Sequence, residues 1–466
     1  MIRSLIVLAL AASAANAQGV LRLEDVLDSV NRSYPPLLAV LQDAQIAEAD
    51  MISALGRFDT SFRVRVDGDE FGFYDNERVD VGIDQPLQFQ GMNVYSGWRR
   101  GIGDFATYDG KLETRSLGEF RTGMRLPLFR DRQIDSRRAD LRKADLNRDV
   151  ARLSIDQQKI VIIQAATRRY WDWVAAGQRF RVAQAVLELA TRRNDILKEG
   201  VRLGQLPAIE VTENERAILQ RRSQVVEGER GLQQAAIDLS LFYRDASGQP
   251  QLAQENQLPP AFPEITAMVE DRVREDIETA LRRRPEIQRF IVQRRQTEVD
   301  AKLARNQLLP NVDVLMGFTA EGGTGIVKRG PRELKATLLF DLPLQRRAAE
   351  GRELSAEARM TQIDHRTRFT RDQVTAEVQD AISAVQAAYR RAKLLNEEVR
   401  VARQLEEMER SRFDLGDGNQ FFVNLREQAT FDASVREVSA IADYFRAYAL
   451  YELALAEALA PTRRQP

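Results

Sequence analysis

Leu55-Gly-Arg-Phe-Asp-Thr-Ser-Phe-Arg-Val-Arg-Val66 and Leu308-Leu-Pro-Asn-Val-Asp-Val-Leu-Met-Gly-Phe318 decide the fold of this chain. In the first stretch Phe62, Val64 and Val66 alternate with Ser61, Arg63 and Arg65. In the second Val312, Val314, Met316 and Phe318 alternate with Asp313, Leu315 and Gly317. A period of two with one apolar side marks a strand. Each stretch is followed by a return run, Met124-Arg-Leu-Pro-Leu-Phe129 and Leu338-Leu-Phe-Asp-Leu-Pro-Leu344. Four strands in two matched pairs, set in very long helical sequence, make the chain an internal duplication. Four strands cannot close a sheet within one chain, and helices so long cannot fold into one globule. Several copies assembled into a tube would meet both constraints, which suits transport rather than catalysis.

Between the first strand pair lies a polar, glycine-rich stretch, about residues 68 to 116, with Gly68, Gly72, Gly82, Gly91, Gly97, Gly101, Gly103 and Gly110 among Tyr74, Tyr95, Trp98 and Tyr108. It reads as a long extracellular loop of a membrane barrel. Its counterpart, about Glu321 to Pro331, is short. Beyond each return strand runs sequence without proline, from Pro127 to Pro207 and from Pro343 to Pro461. Leu146, Val150, Leu153, Ile160, Ile163 and Tyr170 recur at helical steps, as do Val374, Val378, Ile382, Val385, Tyr389 and Leu395. A helix from about Ile134 to Gly200 would be about 100 Å long at 1.5 Å per residue, the habit of coiled coils. Gly204 and Gly416 are placed to stop these helices in the left-handed conformation. Antiparallel return helices follow, about Ile209 to Arg244 and Phe421 to Leu459. Earlier, Pro35-Pro36 breaks one helix, and Pro285 stands where Pro36 stood.

The 466 residues carry 68 Lys and Arg against 69 Asp and Glu, which gives no electrostatic case for nucleic acid. Cysteine is absent, which excludes disulfides and thiolate chemistry. Arg3, the apolar run Leu5 to Ala12 and Ala15-Asn16-Ala17 read as a secretory signal peptide over residues 1–17. The domain expectation is a first repeat over 18–248, a Pro-rich linker over 249–263, a second repeat over 264–460 and a tail over 461–466. No catalytic set stands out. The single histidine, His365, lies in a charged helix, and the Asp414, Asp417 and Asn419 group lacks calcium-loop spacing, so no enzyme activity, metal or cofactor is expected.

Ala280-Leu-Arg-Arg-Arg-Pro-Glu-Ile287, Leu309-Pro-Asn-Val312, Leu342-Pro-Leu344, the Gly204 and Gly416 turns and Tyr444-Phe-Arg-Ala-Tyr-Ala-Leu-Tyr-Glu-Leu-Ala454, in that order and duplicated, resemble the outer-membrane efflux protein family, the TolC-like channel-tunnels. The resemblance implies a mainly α fold with a β-barrel contribution. Long antiparallel coiled-coil helices and four strands per protomer would build a trimeric, twelve-stranded outer-membrane barrel continued by a periplasmic α-helical tunnel. Backbone groups in lipid must be satisfied, so a closed barrel needs several copies. The implied role is the exit duct of a tripartite efflux or type I secretion system. Its partners would be a homotrimer of itself, a periplasmic adaptor (membrane fusion) protein, an inner-membrane transporter and outer-membrane lipid. The alternative is a periplasmic coiled-coil tether without a pore.

The helix-turn tips are the candidate functional residues. By the resemblance, Glu210 matches a carboxylate position of the first tip. At the second tip Val423 and Arg426 replace the paired aspartates of many relatives, so Glu210, Asn424 and Arg426 are the pore-constriction candidates. Leu203, Gly204, Leu206, Phe413, Leu415 and Gly416 are the adaptor-contact candidates.

Overall fold

The computed structural model describes residues 19–106, 113–268, 272–325 and 332–457. The expected signal peptide, the tail over 461–466, Tyr108 and Gly110 lie outside the described residues. In chain order come α1 (Leu23–Ser33), α2 (Pro35–Leu55), β1 (Ser61–Asp69), β2 (Asn76–Pro86), β3 (Asn93–Gly103), β4 (Glu119–Pro127), α3 (Ser136–Arg202), α4 (Ala208–Ser240), α5 (Val273–Arg283), α6 (Pro285–Gln307), β5 (Asn311–Glu321), β6 (Arg332–Asp341), α7 (Arg347–Asp414) and α8 (Gln420–Ala454).

The duplication is visible in the elements. α1 and α5 are each 11 residues long, and each is followed by one extended residue and then a proline that opens the next helix. Proline is suited to that first position, where its missing N–H would have had no partner. Pro285 therefore corresponds to Pro35, one residue earlier than the alignment on Pro36 placed it. α3 begins where the Asp135 carboxylate accepts the Arg138 backbone N–H at 2.9 Å, and α8 where the Asn419 side chain accepts that of Phe422 at 3.1 Å.

Among the described residues six strands, not four, form one antiparallel meander in the order β1-β2-β3-β4-β5-β6. The glycine-rich stretch is thus not simply a loop: most of it is the β2–β3 hairpin, paired on both sides. Phe62 pairs with Ile83 and Val64 with Val81 across β1 and β2, and Trp98 pairs with Phe120 across β3 and β4. The two matched pairs meet where Met124 faces Met316. Val79-Asp80-Val81-Gly82-Ile83-Asp84 has the same alternation as β1, and the glycines among these strands masked it.

The described residues fall into two compact units, each drawing on both sequence repeats. One, within Leu41–Ile155 and Pro285–Arg371, contains the sheet. The other, within Met1–Val40, Asp156–Arg284 and Asp372–Pro466, is helical. The helical unit has the main apolar core. Trp173, Val174, Leu239, Val26 and Val30 are fully buried there, and Trp171 stacks on Phe445 at 4.1 Å. The connector after α4 is fastened to this core. Arg181 donates to the Pro259 carbonyl at 2.7 Å. Leu258 fills the space over Gly177, where an added Cβ would meet it at 2.4 Å.

Candidate functional site

Two helical hairpins, α3–α4 and α7–α8, end in turns of one design. Gly204 (φ 71°) and Gly416 (φ 81°) are left-handed, with open space where a Cβ would stand. At the first turn Gln205 N–H donates to the Gly200 carbonyl at 2.9 Å and Gly204 N–H to that of Val201 at 3.0 Å. At the second, Asp417 N–H donates to Arg412 at 2.9 Å and Gly416 N–H to Phe413 at 3.0 Å. This paired closure satisfies the last carbonyls of each helix and needs a residue that tolerates positive φ. Both glycines were legible in the sequence for that reason.

Apolar side chains crowd these turns without cover in the single chain. Leu415 is 84% exposed, Leu203 53%, Ile209 70% and Phe421 51%. Leu206 is half-buried because it packs over Gly200, and Phe413 is half-buried as well.

The three pore-constriction candidates occupy different environments. Glu210, in the first turn of α4, accepts the backbone N–H of Gln420 at 2.8 Å. It thereby caps α8 and joins one tip to the other. Asn424 faces inward with 6% exposure. Its carbonyl accepts the Gln420 side-chain N–H at 2.9 Å, and its own amide reaches the Glu213 carbonyl at 3.4 Å. Arg426 is half-buried and has no side-chain ion pair among the described residues.

Behind the tips lies a buried polar spine that the sequence reading missed. Gln420 and Asn214 are fully buried and hydrogen-bonded to each other at 3.4 Å. Two turns further along α8, Glu427 is 1% exposed and takes hydrogen bonds from three arginines of three other helices. These are Arg193 of α3, Arg221 of α4 at 2.5 Å and Arg410 of α7 at 2.9 Å. Burial raises the Glu427 carboxyl pKa, but its bonds and charge attraction to Arg193, Arg221 and Arg410 outweigh this and hold it below the usual carboxylate range. The signal was available. Gln420, Val423, Asn424, Glu427, Thr430 and Ser434 follow the buried phase of α8, so these polar residues stand at core positions.

The sheet presents a second feature. Cross-strand partners point to the same side. One face therefore carries Phe62, Val64, Val66, Val79, Val81, Ile83, Val94, Trp98, Phe120, Met124, Met316, Phe318, Leu334, Leu338 and Phe340. Phe62, Leu334 and Phe340 are 69%, 83% and 66% exposed. The other face carries Arg63, Arg65, Arg78, Asp80, Arg99, Glu119, Arg121, Arg125, Asp313 and Lys335. A mainly apolar face, interrupted by Gln85, Ser96, Arg100 and Thr122 and backed by a charged one, is the pattern of a barrel wall with lipid outside and water inside. Among the described residues no helix is long and apolar enough to cross a membrane.

Comparison with known proteins agrees with this geometry. Residues 277–459 match the family described as Outer membrane efflux protein. No curated protein matches the chain by sequence. Among solved structures, the outer-membrane channel OprN is similar over 93% of this chain and 89% of its own, with TM-score 0.67 and 16% identity. The MtrE outer membrane channel of Neisseria gonorrhoeae, in its open state, covers 93% and 89% with TM-score 0.64 and 14% identity. The CmeC outer membrane channel of Campylobacter jejuni covers 93% and 85% with TM-score 0.62 and 14% identity. Residues 277–459 thus match the outer membrane efflux protein family by sequence, and nearly the whole length of the chain shares the fold of outer-membrane channels.

Proposed function

We propose that the chain works as a homotrimer, as the exit duct of a tripartite efflux or type I secretion machine, receiving cargo from an inner-membrane transporter through a periplasmic adaptor. The observation that carries this reading is the sheet: its apolar face is exposed, and both its edge strands, β1 and β6, have one side unpaired. Open edges and unpaired backbone groups are not tolerated in lipid, so the sheet must be completed by further copies. A tether without a pore would need neither the apolar face nor the alternation.

In this reading the exposed Leu203 and Leu415, with Leu206, Phe413 and the two turn glycines, form the adaptor contact. Arg426 repeats as a ring at the narrow end. Glu210 and Asn424 act from behind it by holding α4 to α8 through Gln420. Purification in detergent followed by reconstitution in planar bilayers tests the assignment. A heat-labile, SDS-resistant trimer that conducts ions is expected. A protein that stays monomeric and soluble without detergent would overturn it.

A further inference from the structure

We propose that the β2–β3 hairpin is part of the membrane wall, so that the trimer closes an eighteen-stranded barrel, six strands from each of three copies, instead of twelve. This rests on the trimeric reading above and concerns the width of the duct.

Four observations place the hairpin in the wall. Its two strands are 11 residues each, and the other four have 9 to 11, the length that crosses a bilayer as a tilted strand. An extramembrane hairpin has no reason to match. The hairpin also continues both faces of the sheet. Val79, Val81 and Ile83 join the apolar side beside Val66, Val64 and Phe62, and Arg78, Asp80 and Arg99 join the charged side. On that side Arg121 of β4 pairs with Asp80, and Arg99 with Glu119.

The third observation is a side chain. Tyr95 of β3 reaches across two neighbouring strands and covers Gly123 of β4 and Gly317 of β5. A Cβ at Gly123 would meet the Tyr95 hydroxyl at 2.5 Å, and one at Gly317 would meet it at 3.1 Å. An aromatic ring laid over glycines is a device that holds strands of one sheet in register. The fourth is the hairpin's short turn, Leu87 to Met92, closed by the Leu87 N–H to the Met92 carbonyl at 2.8 Å. It lies at the end of the sheet where β1 leaves α2 and β4 enters α3. Gly91 (φ 68°) touches that connection so closely that a Cβ would come within 2.4 Å of the Asp131 carbonyl oxygen. A short turn on the helical side, with the longer β3–β4 connection on the other, follows the usual polarity of such barrels.

Strand number sets bore. With strands about 4.8 Å apart and tilted about 40°, eighteen strands give a barrel about 36 Å across at the backbone, against about 24 Å for twelve. Inward side chains reduce the wider bore to about 25 Å, enough for two α-helices of about 10–12 Å side by side. The outer section would then admit bulky cargo such as partly structured polypeptide, and size selection would fall to the helical tips.

The chain has no cysteine, so single cysteines report cleanly. Asp80→Cys and Val81→Cys are adjacent on β2 and face opposite sides, and Ser96→Cys of β3 is a conservative second probe of the apolar side. In reconstituted trimers a charged maleimide should label Asp80→Cys through the lumen and fail on Val81→Cys and Ser96→Cys. A lipid-soluble maleimide should label the latter two. Cryo-electron microscopy of the same particles should count eighteen strands in the wall. A trimer with twelve strands in the wall, or labelling of all three positions by the charged reagent, overturns the proposal and leaves the channel reading intact. An assembly of other than three copies overturns both.

Discussion

Arg221 of α4 and Glu427 of α8 meet at 2.5 Å with 2% and 1% of their side chains exposed. With Arg193 and Arg410 they join all four tip helices through one carboxylate. A buried charge is tolerable only while its partners stay in place. This group therefore ties the two hairpins to one another.

Removing the carboxylate should be far more damaging than removing its exposed partner. Glu427→Ala leaves the buried Arg221 uncompensated and should destabilise the helical unit by about 3–5 kcal/mol. Arg410 is 32% exposed, so Arg410→Ala should cost about 1 kcal/mol or less. Thermal unfolding followed by circular dichroism in detergent gives the comparison. Equal losses for the two variants would show that the arginines do not depend on Glu427.

Two carboxylates of α8 should give opposite pH responses. Glu427 is held below the usual range, so its contribution is present above the unfolded pKa and is lost as pH falls through its folded value. Glu452 is pushed up to about 7, first by burial and then by the charge of Glu457. Its folded pKa lies above the unfolded one, so stability is greatest below the unfolded value and falls as pH rises towards about 7. Glu452→Gln should flatten the decline on the neutral side and leave the acid limb in place. Melting temperatures between pH 4 and pH 8, read with the approximate unfolded carboxyl value of about 4.3 in mind, decide it.

At the tips, conformation and surface chemistry can be separated. Gly204→Asn and Gly416→Asn retain a residue that visits positive φ and should assemble and export normally. Gly204→Asp and Gly416→Asp put charge on the contact surface and should impair export while trimers persist. Leu415→Glu, at a position 84% exposed, should do the same without any backbone change. Cross-linking to the adaptor in cells supplies the readout. Wild-type cross-linking by Leu415→Glu would remove this surface from the adaptor contact.

If three copies of Arg426 line the narrow end, Arg426→Glu inverts the local field. The reversal potential under a salt gradient should move toward cation preference. An unmoved potential takes Arg426 out of the constriction.

Tyr95 should matter through its ring. Tyr95→Ala uncovers Gly123 and Gly317 and should lower the temperature at which SDS-resistant oligomers dissociate, whereas Tyr95→Phe should behave nearly as the parent. Matching dissociation temperatures for all three proteins would leave the ring without a structural role.

Much of this architecture follows from local chemistry. Proline is excluded from helix interiors, so the spans free of it marked α3 and α7. Left-handed glycine is the simplest way to close a helix at a tight turn, so Gly204 and Gly416 marked the tips. The alternation of Phe62, Val64 and Val66 marked β1 because a strand exposes successive residues to opposite faces. The tertiary structure decided what depends on residues far apart in the chain. Gly82, Gly97, Gly123 and Gly317 weaken a strand considered alone, and only Tyr95 laid across Gly123 and Gly317 from a neighbouring strand shows part of what compensates the wall for that loss. The phase of α8 marks Glu427 as a core position, but the local sequence does not show what balances its charge. Arg193, Arg221 and Arg410 come from three separate helices, and only their convergence makes burial of that carboxylate possible.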